Sequence, residues 1–159
     1  MASDYLLEIE GIKGESRDHK HPGALEIDSF SWGLSNAGSA TFGGGGGAGK
    51  ASFQDMHFTT RVNKASPLLF LHCASGKHIK SAQLFVRKAG DKPLEYLKIK
   101  LTDILISSYA EGGAGGDAPT DQFSLNFTKI EFSYQPQEPD GSLGEPVKAS
   151  WDLKQNKGG

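Results

Sequence analysis

The sequence predicts a mainly β domain: a compact, bulged antiparallel β-barrel or two-sheet sandwich, with one short α-helix at about residues 66–75 and a long glycine-rich loop. Three observations carry this reading. Apolar and polar residues alternate with a period of two along most of the chain, the pattern of half-buried strands. The phase of that alternation slips inside several segments, as it does at β-bulges. Strands do not alternate with helices, so a parallel α/β sheet is disfavoured.

Each element follows from its residues. In the first segment Tyr5, Leu7 and Ile9 alternate with polar or small neighbours. Residues 17–24 are polar and broken by Pro22, which makes them a loop. In residues 25–35, Leu25 and Ile27 share one phase, and Phe30, Trp32 and Leu34 share the other. The slip predicts a bulge at Asp28–Ser29. It also puts Phe30, Trp32 and Leu34 on the core side, and Ser29, Ser31, Gly33 and Ser35 on the opposite side. A solvated sheet face usually carries Lys, Glu or Thr. Small neutral hydroxyls suit a surface that faces something without gripping it, or else a weakly polar edge strand.

Residues 36–51 form a loop almost without side chains, and loops of that length tend to be functional or disordered. The strand pattern resumes at residues 52–62. Ser66-Pro67 reads as an N-cap followed by proline in the first turn, and Gly76 as the helix stop. Two strands follow around a turn at Ala89–Pro93. Leu97, Ile99 and Leu101 then give way in phase to Ile104 and Ile106, predicting a second bulge. Residues 111–119 are a loop. Phe123, Leu125 and Phe127, then Ile130, Phe132 and Tyr134, mark another long strand. Val147, Ala149, Trp151 and Leu153 mark the last.

At 159 residues, positions 1–159 suit a single domain. The net charge of -2 gives no electrostatic footprint for nucleic acid or an anionic membrane. No apolar run approaches the ~18 residues needed to span a bilayer. The first residues lack a basic start and carry Asp4, Glu8 and Glu10, so no signal peptide is expected. The expectation is a chain folded in the cytoplasm that leaves the cell, if it does, by a route that reads no N-terminal signal. The lone cysteine, Cys73, cannot form an internal disulfide.

Motifs that resemble chemistry fall short of it. Gly44 to Gly49-Lys50 nearly spells a phosphate-binding loop, but Ala51 stands where a Mg²⁺-binding hydroxyl is needed, and a strand follows instead of a helix. His19 and His21 are two apart in one loop and lack a third metal ligand nearby, so both read as surface histidines. His57 alternates with Met56 and Phe58 and reads as outward-facing. His72 lies on the helix, and His78 is the fifth histidine. Cys73 sits near the helix C-terminus, where the dipole disfavours a thiolate, and reads as a buried structural residue. No catalytic set, cofactor or metal is expected. A nucleotide-binding enzyme and a monomeric carbohydrate- or peptide-binding sandwich remain the readings from other classes.

A series of ordered stretches resembles the haemolysin-coregulated protein (Hcp) family, the tube proteins of type VI secretion. They are GIKGES at 11–16, SFSWGLSNAGS at 29–39, GGGGGAGK at 43–50 and QDMHFTTRVNKASPLLF at 54–70. CASGKHI at 73–79, VRKAG at 86–90, YQPQ at 134–137 and WDLKQN at 151–156 continue the series. The resemblance covers essentially the whole chain, and no extra C-terminal domain is expected. It implies a structural protein rather than an enzyme. It implies a homo-hexameric ring stacked into a tube, with the type VI sheath, a valine-glycine repeat spike protein and small effector proteins in the lumen as partners. It implies that the 36–51 loop reaches neighbouring subunits, with Gly43, Gly44, Gly45, Gly46, Gly47 and Lys50 as candidate contacts. It implies that Ser31, with Ser29 beside it, faces the lumen. A contractile-phage tail tube is the alternative within the same structural class.

Overall fold

The computed structural model describes residues 3–37, 51–88 and 93–159. Ten strands and a single helix run in the order β1 (Ser3–Ile9), β2 (Leu25–Ser31), β3 (Leu34–Asn36), β4 (Ala51–Phe53), β5 (Met56–Arg61), α1 (Ser66–Ser75), β6 (Ile79–Lys88), β7 (Glu95–Gly112), β8 (Thr120–Tyr134), β9 (Val147–Asp152) and β10 (Lys157–Gly158). All pairings are antiparallel. Strands β5, β2, β1, β6, β7 and β8 close into a six-strand barrel, because β8 pairs with both β5 and β7. β9 and β10 extend the sheet beyond β8, and β3–β4 form a separate hairpin.

The barrel is built from two walls. Leu25–Ile27 of β2 pair with β1, whereas Ile27–Ser31 pair with β5, and the register slips between Ile27 and Ser29. The predicted bulge is there. It lets one strand turn from one wall into the other while keeping Leu25, Ile27 and Phe30 on the inside. β7 and β8 change walls together. Leu101 faces Ile130 and Ile104 faces Phe127, so the pairing count is unchanged across the break. The second bulge expected there is therefore absent. Asp103 takes a left-handed φ of 54°, and Thr128 Oγ1 donates to the Thr102 carbonyl at 3.0 Å. Both strands bend at one point, and their apolar phases switch in step. The register shifts of β7 lie elsewhere: at Glu95–Leu97 against β6, and between Ile106 and Ser108 against β8.

The core is aliphatic and aromatic: Leu7, Ile9, Leu25, Met56, Phe58, Leu84, Ile99, Leu101, Ile104, Phe123 and Leu125 are all essentially inaccessible. Phe58 and Phe123 stack at 5.2 Å. Gly14 lies so close to the next segment that a Cβ there would meet the Ala24 carbonyl at 2.6 Å.

Helix α1 has the predicted span and stop. Gly76 closes it at φ 63°, donating to the Cys73 carbonyl. The N-cap, however, is Ala65, one residue earlier than expected, and makes no side-chain cap. Ser66 instead donates to Asp121 Oδ2 at 2.5 Å, and the buried Asp121 also accepts from Tyr109 at 2.8 Å. Four further expectations need correction. Leu34 is 52% exposed, because it belongs to the β3–β4 hairpin rather than the barrel wall. Asn36 and Ala51 pair with each other, so the loop is shorter than 36–51. Cys73 is half-buried rather than buried, packed at the edge of the core. His21 is buried rather than on the surface.

Candidate functional site: a polar wall across four strands

Cross-strand register builds a continuous polar face. Ser31 lies opposite His57, His57 opposite Ser124, and Ser124 opposite Ser108. The neighbouring row is Ser29, Thr59, Gln122 and Ala110. Directly opposed residues of antiparallel strands point to the same side, so these eight lie on one side of β2, β5, β8 and β7, with Ser124 buried at 2% exposure beneath its neighbours. The intervening row, Phe30, Phe58, Phe123 and Tyr109, points into the molecule. Phe30 and Trp32 pack against the core as expected, and Ser29 and Ser31 are exposed.

None of these eight side chains is a carboxylate, an ammonium or a guanidinium; Arg61, next on the same side of β5, borders them. Ser107 and Ser108 each share a hydrogen bond with Ser124, at 2.7 and 2.5 Å. At its margin Asp55 accepts from Ser107 at 2.6 Å and from Asn126 at 2.9 Å. Among the described residues no hydrogen bond joins Ser31 to His57, and no carboxylate orients His57. The arrangement can therefore donate and accept weakly over a broad area. It does not assemble an activated nucleophile.

Behind the wall, burial pushes the Tyr109 phenol up, and Asp121 and then Glu111 push it further. Tyr109 stays a neutral donor that fastens β7 to Asp121 beneath the start of α1.

Ser29 and Ser31 are the candidate residues brought together. Gly43, Gly44, Gly45, Gly46, Gly47 and Lys50 lie outside the described residues. His57 faces outward as read, although its place beside Ser31 was not legible, because register is invisible in a single sequence. The same holds for Thr59, Ser108, Gln122 and Ser124. Among the described residues no group of three or more metal-ligating side chains converges, and no helix is long and apolar enough to cross a membrane.

His21 is buried where the sequence predicts a surface histidine, for a similar reason. Its ring lies over Phe85 at 4.0 Å, donating from Nδ1 to Glu8 at 2.8 Å and from Nε2 to Glu95. Burial alone would lower its pKa, but the Glu95 and Glu8 carboxylates outweigh that and hold it above 6.5. Nearby, Arg87 donates to Asp18 at 2.6 Å, and that hydrogen bond holds the Asp18 carboxyl below its ordinary value. These contacts clamp the 17–24 loop onto β1, β6 and β7.

Residues 6–134 match the family described as type VI secretion system effector, Hcp. The chain is similar to Protein hcp1 of Pseudomonas aeruginosa, at 45% identity over 98% of both chains. Its fold is similar to Hcp1 of Salmonella typhimurium, with a TM-score of 0.82, 35% identity and 99% of each chain covered. It is also similar to a type VI secretion system effector from Yersinia pestis, with a TM-score of 0.77, 34% identity, and 94% and 99% of the two chains covered.

Proposed function

The chain belongs to the Hcp family of type VI secretion proteins, and from that footing we propose that it is a tube subunit, closing into hexameric rings that stack and carry small effector proteins. The single observation that carries this reading is the polar four-strand wall with a free edge at each end. Among the described residues, positions 28–31 of β2 pair only with β5, and positions 105–112 of β7 pair only with β8. Unpaired strand edges are templates for another chain. Laying the β2 edge of one copy beside the β7 edge of the next satisfies both. Repeating one such head-to-tail contact closes a ring.

The polar wall then faces the channel, with Ser31 and Ser29 on its surface. Hydroxyl and amide groups let cargo be held without a strong anchor. The 36–51 segment, with Gly43–Gly47 and Lys50, reaches the neighbouring subunit or ring. The subunit is made in the cytoplasm and leaves with the tube. The sheath around the tube supplies the work, and the valine-glycine repeat spike caps it. The chain's own role is mechanical, with no catalytic step.

Light scattering at micromolar concentration tests this. The expected mass is that of about six 17.0 kDa subunits. A monomer mass would overturn the ring.

A further inference from the structure

Two exposed apolar patches lie on different parts of the subunit. The first surrounds α1: Val62, Leu68, Phe70 and Leu71 are 38, 38, 57 and 55% exposed. Phe70 leans toward Tyr109 across a shallow groove of about 400 Å³. The second lies on β8 and β9, where Phe132, Tyr134 and Val147 are 37, 44 and 69% exposed. Phe132 and Tyr134 continue the inward phase of the buried Ile130, and they face Ala149 and Val147 across the strand pair. The core side of the sheet therefore runs on past the barrel with its apolar face open. Patches of this kind mark contact surfaces.

The surroundings of the two patches are opposite in charge. Residues 62–80 contain Lys64, Lys77 and Lys80, with His72 and His78, and no acidic residue. Residues 135–146 contain Glu138, Asp140 and Glu145, and no basic residue. All three lysines and all three acids are exposed, and none enters an ion pair among the described residues. Glu15 and Glu111 border the first patch, and Lys88 and Lys148 border the second.

We propose that these two surfaces meet between copies of this chain: α1 of one subunit docks on the open β8–β9 face of the next, with its lysines against the 135–146 loop. The inference rests on the ring reading and names a second contact within it. The patches differ, so the contact is head-to-tail, the geometry a closed ring requires. Phe70 and Tyr134 are the aromatic anchors, and the charges set the register and exclude a like-with-like pairing.

The test uses two single variants of the full chain, Phe70→Asp and Val147→Asp. Both positions are exposed, so each variant should fold, checked by circular dichroism; Leu71→Asp and Tyr134→Asp stand in for any that does not. Each alone should need about tenfold or more protein to assemble than the wild type, as loss of an interface anchor implies. An equimolar mixture, diluted below that concentration, should give a dimer. Each variant keeps the surface that the other lacks, and the dimer cannot extend. Variants that assemble like the wild type would overturn the proposal. So would a mixture that stays monomeric, or either variant dimerising on its own at that same dilution. If the wild type itself is a monomer, the ring reading fails first, and light scattering of the wild type shows which has failed.

Discussion

Ser31 is small, neutral and directly opposite His57, with Ser124 and Ser108 continuing the row. Replacing it with glutamate adds a charge that projects away from the core, so the ring should persist. If the row lines the channel, every subunit contributes one charge to the same belt. Co-purification of a lumen effector with Ser31→Glu rings should then fall well below that with wild-type rings. Equal retention would remove Ser31 from the cargo surface, and loss of the ring would place it at a subunit contact. His21 makes a different prediction. Its folded pKa is raised above 6.5. The stabilisation it supplies is therefore fully present below pH 6.5 and is lost as pH rises through the elevated folded value. The urea midpoint should decline over that window, and His21→Gln should flatten the decline. An unchanged slope in the variant would show that the clamp does not titrate.

At the scale of elements, helix α1 is held by a buried polar anchor more than by its own signals. It lacks a side-chain N-cap, and Asp121 draws Ser66 from the helix and Tyr109 from β7 to one carboxylate. Asp121→Ala leaves two hydroxyls without that acceptor. Tyr109 keeps Glu111 as an acceptor at 3.2 Å, so the loss falls mainly on the buried Ser66 and should cost about 1–3 kcal/mol, the penalty of one unsatisfied buried polar group. A denaturant midpoint within error of the wild type would refute this anchoring. The strands show a parallel case. The phase switch in Leu97–Ile106 was legible, but its cause was not. A bulge in one strand and a bend shared by two give the same sequence pattern. Only pairing shows that β7 and β8 turn together at Asp103 and Thr128.

On the scale of the whole molecule, the barrel closes through β8, yet among the described residues it leaves β2 and β7 with unpaired lengths and the β8–β9 face bare. A domain that satisfied every edge and apolar face by itself would have no reason to assemble. These unsatisfied surfaces lie on separate parts of the subunit and differ from one another, as head-to-tail closure requires. The expected six-subunit mass in solution is the measure of that closure. If the polar wall lines a channel as proposed, it offers cargo hydroxyl and amide groups and no apolar side chain larger than Ala110.

The sequence by itself determined the strand content, the helix at 66–75, the bulge at Asp28–Ser29 and the alternation that puts Ser29 and Ser31 opposite Phe30. These are local matters of periodicity, proline and glycine placement, and phase, so they can be read in short windows. Tertiary structure decided which rows stand side by side, and so made a wall from Ser31, His57, Ser124 and Ser108. It buried His21 between Glu8 and Glu95, residues 13 and 74 positions away. It also set Leu34 outside the barrel. Each of these depends on strand register or on contacts between distant segments, and one chain's alternation does not specify which strand lies next to which.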